Sequence, residues 1–154
     1  MKRSVPVLLV LLLARVLLSP EAFAQQADTA AGPQVQDPEQ VRGVELEQNF
    51  PNPFDTETRI PFALGENLFE GDGSVVVSVR IFNVLRQLVA IPTALDHPMR
   101  PGDRALDLRY DQPGRYMLYW DGQDMQGDPV SSGIYFCQIV ADGARAVRKM
   151  VVIR

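Results

Sequence analysis

The sequence predicts an all-β fold, an antiparallel β-sandwich of about seven strands, and three observations predict it. From Glu45 onward, short apolar runs are separated by Gly, Pro, Asp and Asn at the spacing of strands and tight turns. Nothing helical of useful length follows in that region. The connections are too short for the crossovers of a dozen or more residues that parallel strands need, so the pairing is antiparallel.

The first two dozen residues stand apart from that fold. Lys2 and Arg3 form a positive n-region ahead of the apolar run Val5 to Leu13, and small residues precede a cleavage point at Ala22-Phe23-Ala24. This is the pattern of a secretory signal peptide over residues 1–24, cut before Gln25. A membrane span is disfavoured, because the uninterrupted apolar stretch falls short of about 20 residues and Arg15 would lie inside it. No transmembrane anchor is expected after cleavage. Cys137 is too far from the cleavage point to make a lipoprotein. Residues 25–44, rich in Gln, Ala, Asp, Pro and Gly without apolar periodicity, read as a flexible linker leading directly into a domain over residues 45–154.

The strands follow from alternation. In Thr58 to Leu64, Ile60, Phe62 and Leu64 share a face, and Pro61, which has no amide donor, points to an edge strand or a strand start. Ser74 to Val84 is the strongest, with Val75, Val77, Val79 and Ile81 on one face and Ser74, Ser78 and Arg80 on the other. A turn at Asn83 to Arg86 leads into a short strand from Gln87 to Ile91. Ala105 to Tyr110 directs Leu106, Leu108 and Tyr110 inward, and Arg115 to Trp120 does so with Tyr116, Leu118 and Trp120. Gly133 to Val140 and Ala146 to Ile153 complete the set. No internal repeat is present, which disfavours a solenoid or propeller.

Charge and cysteine content narrow the function. The chain has 15 basic and 19 acidic residues; cleavage removes Lys2, Arg3, Arg15 and Glu21, leaving a net charge near −6. That sign argues against a nucleic-acid partner, whose phosphates demand clustered Lys and Arg. One cysteine cannot form an internal disulfide, so packing alone holds the domain, and Cys137 within an apolar run reads as a buried thiol. His97 lies in a loop with no second His or nearby Cys to make a metal set. No nucleophile elbow, phosphate loop or dinucleotide fingerprint occurs, so neither catalysis nor a cofactor is expected.

Three blocks carry a resemblance. The first is Leu46-Glu47-Gln48-Asn49-Phe50-Pro51-Asn52-Pro53-Phe54 followed by Thr58-Arg59-Ile60. The second is Val79-Arg80-Ile81-Phe82-Asn83-Val84-Leu85. The third comprises Trp120-Asp121-Gly122, Gly127, Val130, Gly133, Tyr135 and the closing Arg148-Lys149-Met150-Val151-Val152. In order and spacing they resemble the type A C-terminal sorting domain of proteins exported by the type IX secretion system, a domain similar to the immunoglobulin-like domain of the flagellar hook-capping protein FlgD. The resemblance covers residues 45–154 and implies an immunoglobulin-like sandwich. It also implies passage to the periplasm and then to the cell surface or medium, with the domain read as an address by an outer-membrane protein partner. Under it, Arg148, Lys149, Met150 and Arg154 are the candidate recognition residues. Arg86 stands where the family has a glycine after the Asn83-Val84-Leu85 turn.

The same residues have plainer readings. The two prolines stiffen the lead-in, so that Phe50 and Phe54 plug one end of the sandwich. Asp121-Gly122 is a tight-turn signal, and Asp121, Asp124 and Asp128 are solvated turn carboxylates rather than a calcium site. Trp120 belongs to the core, and Tyr135 is placed for a tyrosine-corner hydrogen bond. The charges on the last strand protect a sheet edge. Two alternatives to sorting stay open: a structural or adhesive envelope module, including a FlgD-like scaffold, and an accessory domain that has lost its enzyme.

Overall fold

Strand pairing begins one residue ahead of the boundary read from the sequence. The computed structural model describes residues 43–154; the expected signal peptide and the linker up to residue 42 lie outside the described residues. Among the described residues nine strands are formed: β1 (Val44–Leu46), β2 (Thr58–Leu64), β3 (Val75–Asn83), β4 (Leu88–Ala90), β5 (Thr93–Ala94), β6 (Leu108–Tyr110), β7 (Gly114–Trp120), β8 (Gly133–Ala141) and β9 (Ala144–Val152). The two beyond the expected seven are β1 and β5, of three and two residues, too short to show alternation. A single turn of 3-10 helix, Glu66–Phe69, lies between β2 and β3.

The strands pair antiparallel in two sheets, one ordered β1-β2-β7-β5 and the other β4-β3-β8-β9, with β6 also on β3. β6 pairs with Val75 to Val77 and β4 with Ile81 and Phe82, so two short strands divide one edge of β3. The architecture is an immunoglobulin-like sandwich. Its core lies between the sheets, with Ile60, Phe62, Leu118 and Trp120 facing Val75, Val77, Val79, Ile81, Cys137, Ile139 and Met150. All are buried, and full burial of one such aliphatic side chain contributes about 1.5–3 kcal/mol.

Local chemistry sets the turns. The β3–β4 hairpin needs a residue of positive φ after Leu85, and Arg86 supplies it at φ 61 where glycine would be cheapest. Asn83 stabilises this turn, because its Oδ1 accepts from the amides of Leu85 (2.9 Å) and Gln87 (3.0 Å). Asp142 (φ 43) and Gly143 (φ 91) form the tight turn joining β8 to β9.

Two expectations need correction. Leu106 is not inward but 38% exposed; Ala105 is buried in its place. Asp107 breaks the alternation by adopting φ 52, and its carboxylate and amide both bond to Ser78 Oγ, at 2.7 and 3.0 Å. Pro61, expected at an edge or strand start, lies within β2, which is paired on both sides. Its carbonyl accepts from Glu47 N at 2.9 Å, so its absent donor faces the side where β1 pairing stops at Leu46.

Candidate functional site

The segment between β1 and β2 runs across one end of the sandwich and bonds to both sheets. On the first sheet, Phe50 N donates to Arg59 O at 2.9 Å and Arg59 N returns a bond to Phe50 O at 3.0 Å. On the second, Phe54 N donates to Val151 O (3.0 Å) and Ile153 N donates to Phe54 O (2.8 Å), giving a parallel bridge between Phe54 and Val152. Asn52 Oδ1 accepts from Val151 N at 2.9 Å, so a side chain supplies the acceptor a neighbouring strand would have offered. Gln48 Nε2 donates to Lys149 O at 3.2 Å. The β9 edge is therefore covered from Lys149 to Ile153, chiefly by pairing rather than by charge.

Asn49 holds the crossing segment in shape. It is buried, and its Nδ2 donates to Thr58 Oγ1 (2.9 Å) and Pro51 O (3.1 Å), while Thr58 Oγ1 donates to Pro51 O (3.0 Å). Each buried polar group in this triangle is thereby satisfied, as burial demands. Pro51 and Pro53 are both exposed, and the peptide bonds preceding them are cis.

The two phenylalanines diverge, which corrects the reading that both plug the sandwich. Phe54 is buried edge-on against Trp120, with ring centroids 5.4 Å apart, and Trp120 meets Tyr135 at 5.6 Å. Phe50 is 47% exposed, because its backbone pairing with Arg59 fixes it outside the sandwich. Trp120 Nε1 donates to Gln123 O at 2.8 Å. Tyr135 OH donates to Ser131 O, four residues upstream, at 2.9 Å, the expected tyrosine-corner bond.

The Trp120 turn joins the same end. Gly122 is buried at φ +66, and a Cβ there would lie 2.7 Å from Thr56 O. Asp121 Oδ1 accepts from Gln123 N, and Asp124 Oδ1 accepts from the amides of Gln126 and Asp128. Those carboxylates shape their own loop, with Gly127 (φ 89) closing it by donating to Asp124 O at 3.1 Å. Among the described residues no cluster of three or more His, Cys, Asp and Glu side chains is arranged to hold a metal. Gly133 opens β8 opposite Val152.

The four recognition candidates occupy different settings. Arg148 is exposed and donates from Nε to Leu46 O at 2.6 Å, tying β9 to β1. Lys149 is exposed on the outer face. Met150 is fully buried in the core, which removes it from any surface a folded domain offers a partner. Arg154 donates from its backbone to Ser132 Oγ and from Nη2 to Gly122 O, both at 2.8 Å. His97 has a structural role that sequence reasoning missed. It is buried, its Nδ1 accepts from the amides of Met99 and Arg100, and its Nε2 lies 2.9 Å from Arg109 O.

No family model matches the chain, and no curated protein does. Among solved structures it is similar to dimeric latent PorU from Porphyromonas gingivalis, at 18% identity and a TM-score of 0.46, over 73% of this chain and 10% of that one. It is also similar to PorZ of Porphyromonas gingivalis, described as an essential bacterial surface component of the type-IX secretion system. That match has 18% identity and a TM-score of 0.38, over 73% of this chain and 12% of PorZ. The chain thus spans about a tenth of the length of the solved chains it matches.

Proposed function

We propose that this is a non-catalytic exported module acting as a sorting or attachment address of the type IX kind, read by a protein partner in the cell envelope. The observation that carries the reading is convergence. Blocks one and three, which with block two give the sequence its resemblance to sorting domains, meet at one end of the sandwich. Asn52 and Phe54 bond to Val151 and Ile153, Phe54 packs on Trp120, and Arg154 reaches Gly122. Residues from about 46 to 54 and from 148 to 154 therefore present one composite surface. Block two supports the reading differently: its turn is kept by Arg86 in the conformation a glycine would favour. On this surface Arg148, Lys149 and Arg154 are the exposed cations a partner would meet, and Met150 supports them from within.

The experiment is fractionation of cells producing the tagged chain, with intact mass of the recovered protein, in strains with and without the type IX translocon. The expected result is surface or extracellular protein only where the translocon is present, with the C-terminal region trimmed. Full-length protein starting at Gln25 and confined to the periplasm in both strains would replace this reading with a resident envelope-binding module.

A further inference from the structure

β3, β8 and β9 contain Arg80, Arg145, Arg148 and Lys149 and not one acidic residue, in a domain whose overall charge is negative. The register places Arg80, Gln138 and Val147 side by side on the outer face of the second sheet. Beside them run Phe82, Phe136 and Lys149, and then Ser78, Val140 and Arg145. A groove of about 600 Å³ opens here, lined by Phe82, Val84, Arg86, Phe136, Arg145 and Val147 among others. Val147 is 49% exposed and Val84 62%. The ion pairs among the described residues are Arg100–Asp103, Arg109–Asp111 and Arg115–Glu47, none of which uses a cation of this face.

A second observation lies at the groove's border. Val151 and Lys149 turn backbone groups away from β8, where the crossing segment takes them up. Strand alternation makes Val147 and Arg145 turn theirs the same way. Among the described residues β1 bonds to β9 here only through the Arg148 side chain on Leu46 O, and β9 is the last strand of its sheet, so these amides and carbonyls form a short open sheet edge directly beside an apolar, cationic groove. An unpaired edge of this kind is a template for strand addition.

We infer that the Arg145–Val147 edge of β9, with the Lys149 side chain beside it, docks an extended acidic peptide segment as an added strand. The edge supplies backbone hydrogen bonds, and the groove supplies the side-chain preference. On the outer face Arg145, Val147 and Lys149 recur every second residue, about 7 Å apart. The complementary segment carries an apolar residue opposite Val147, flanked two positions away on either side by carboxylates. Charge complementarity fixes the sign of the partner, and the open backbone edge favours a peptide over an anionic lipid surface, which has no use for amides and carbonyls. This inference stands apart from the address reading, since the edge is available whether or not a translocon reads the domain.

The test is titration of the full chain with a fluorescent heptapeptide of sequence Thr-Glu-Val-Ile-Val-Glu-Thr, and with the same peptide carrying Gln for Glu. The acidic peptide is expected to bind, and the neutral one to bind about tenfold more weakly. Arg145→Glu with Lys149→Glu is expected to abolish the difference. Val147→Pro removes an outward amide while leaving the β8 ladder bonds in place, so it is expected to lose binding without changing the far-ultraviolet spectrum. Equal affinity for both peptides overturns the proposal. So does binding to vesicles containing anionic lipid without binding to the peptide, and so does a dimer of the chain alone that Val147→Pro dissociates.

Discussion

The Arg154 guanidinium donates to the Gly122 carbonyl at 2.8 Å, across a position with no room for a side chain. A Cβ on Gly122 would sit 2.7 Å from the Thr56 carbonyl oxygen and 2.8 Å from Arg154 Nη2, at φ +66. Backbone, guanidinium and turn are thus packed to contact around one hydrogen atom.

Gly122→Ala is therefore expected to destabilise the domain by about 1–3 kcal/mol from left-handed strain and the backbone clash together. Gly143 also has positive φ, at +91, but nothing lies within 4 Å of its missing Cβ. Gly143→Ala is expected to cost about 1 kcal/mol or less, from conformation alone. Urea unfolding of the two variants side by side checks the ordering; equal losses would show that the contacts at Gly122 yield freely.

The lead-in phenylalanines give a second contrast. Truncating Phe54, which is buried against Trp120, is expected to cost about 3–5 kcal/mol. Phe50→Ala removes a ring that is 47% exposed and is expected to stay within about 0.5 kcal/mol of the parent. Denaturation midpoints at matched slopes provide the measurement, and a large loss at Phe50 would contradict its placement outside the sandwich.

Alkaline pH provides a third. Burial pushes the Cys137 thiol up to about 12 from an ordinary 9.0, and the Tyr110 phenol is also raised, by burial first and then by Asp96 and Tyr116. Both groups hold their protons in the fold after the unfolded chain has lost them. The stability these two groups contribute is accordingly full below pH 9 and falls above it, from about pH 9 for the thiol and about pH 10 for the phenol, by at most about 1.4 kcal/mol per pH unit for each. Cys137→Ala is expected to reduce the slope between pH 9 and 12, measured as urea midpoints against pH. A slope unchanged by the substitution would mean that the thiolate forms without opening the core.

Much of this arrangement was legible in the sequence where a single physical rule governs. β3 alternates Val75, Val77, Val79 and Ile81 inward because both halves of a pleat obey one period, and all four are buried. Leu106 departs from its expected inward place for the opposite reason: Asp107 turns the strand through positive φ, and the Ser78 hydroxyl that holds it lies 29 residues away. Phe50 and Phe54 look equivalent in a proline-stiffened run, yet their fates depend on which sheet each backbone joins. The burial of His97 left no local trace, since its two accepted amides belong to the loop it organises. The sequence blocks could be named separately, but only distant pairing reveals that Asn52 and Val151 meet.

That pairing also sets a timetable. Asn52 and Val151 are 99 residues apart, and Leu46 and Arg148 are 102 apart, so the crossing segment can pair early with β2 through Phe50 and Arg59 but has no partner for its Asn52–Phe54 end until β9 exists. A chain made from its N-terminus at about 5–20 residues per second spends several seconds with that end undocked. Closing so long a loop comes late in the order of events, because local hairpins gain bonds with far less entropy lost. A nascent chain of this sequence thus keeps one end of its sandwich open until β9 arrives.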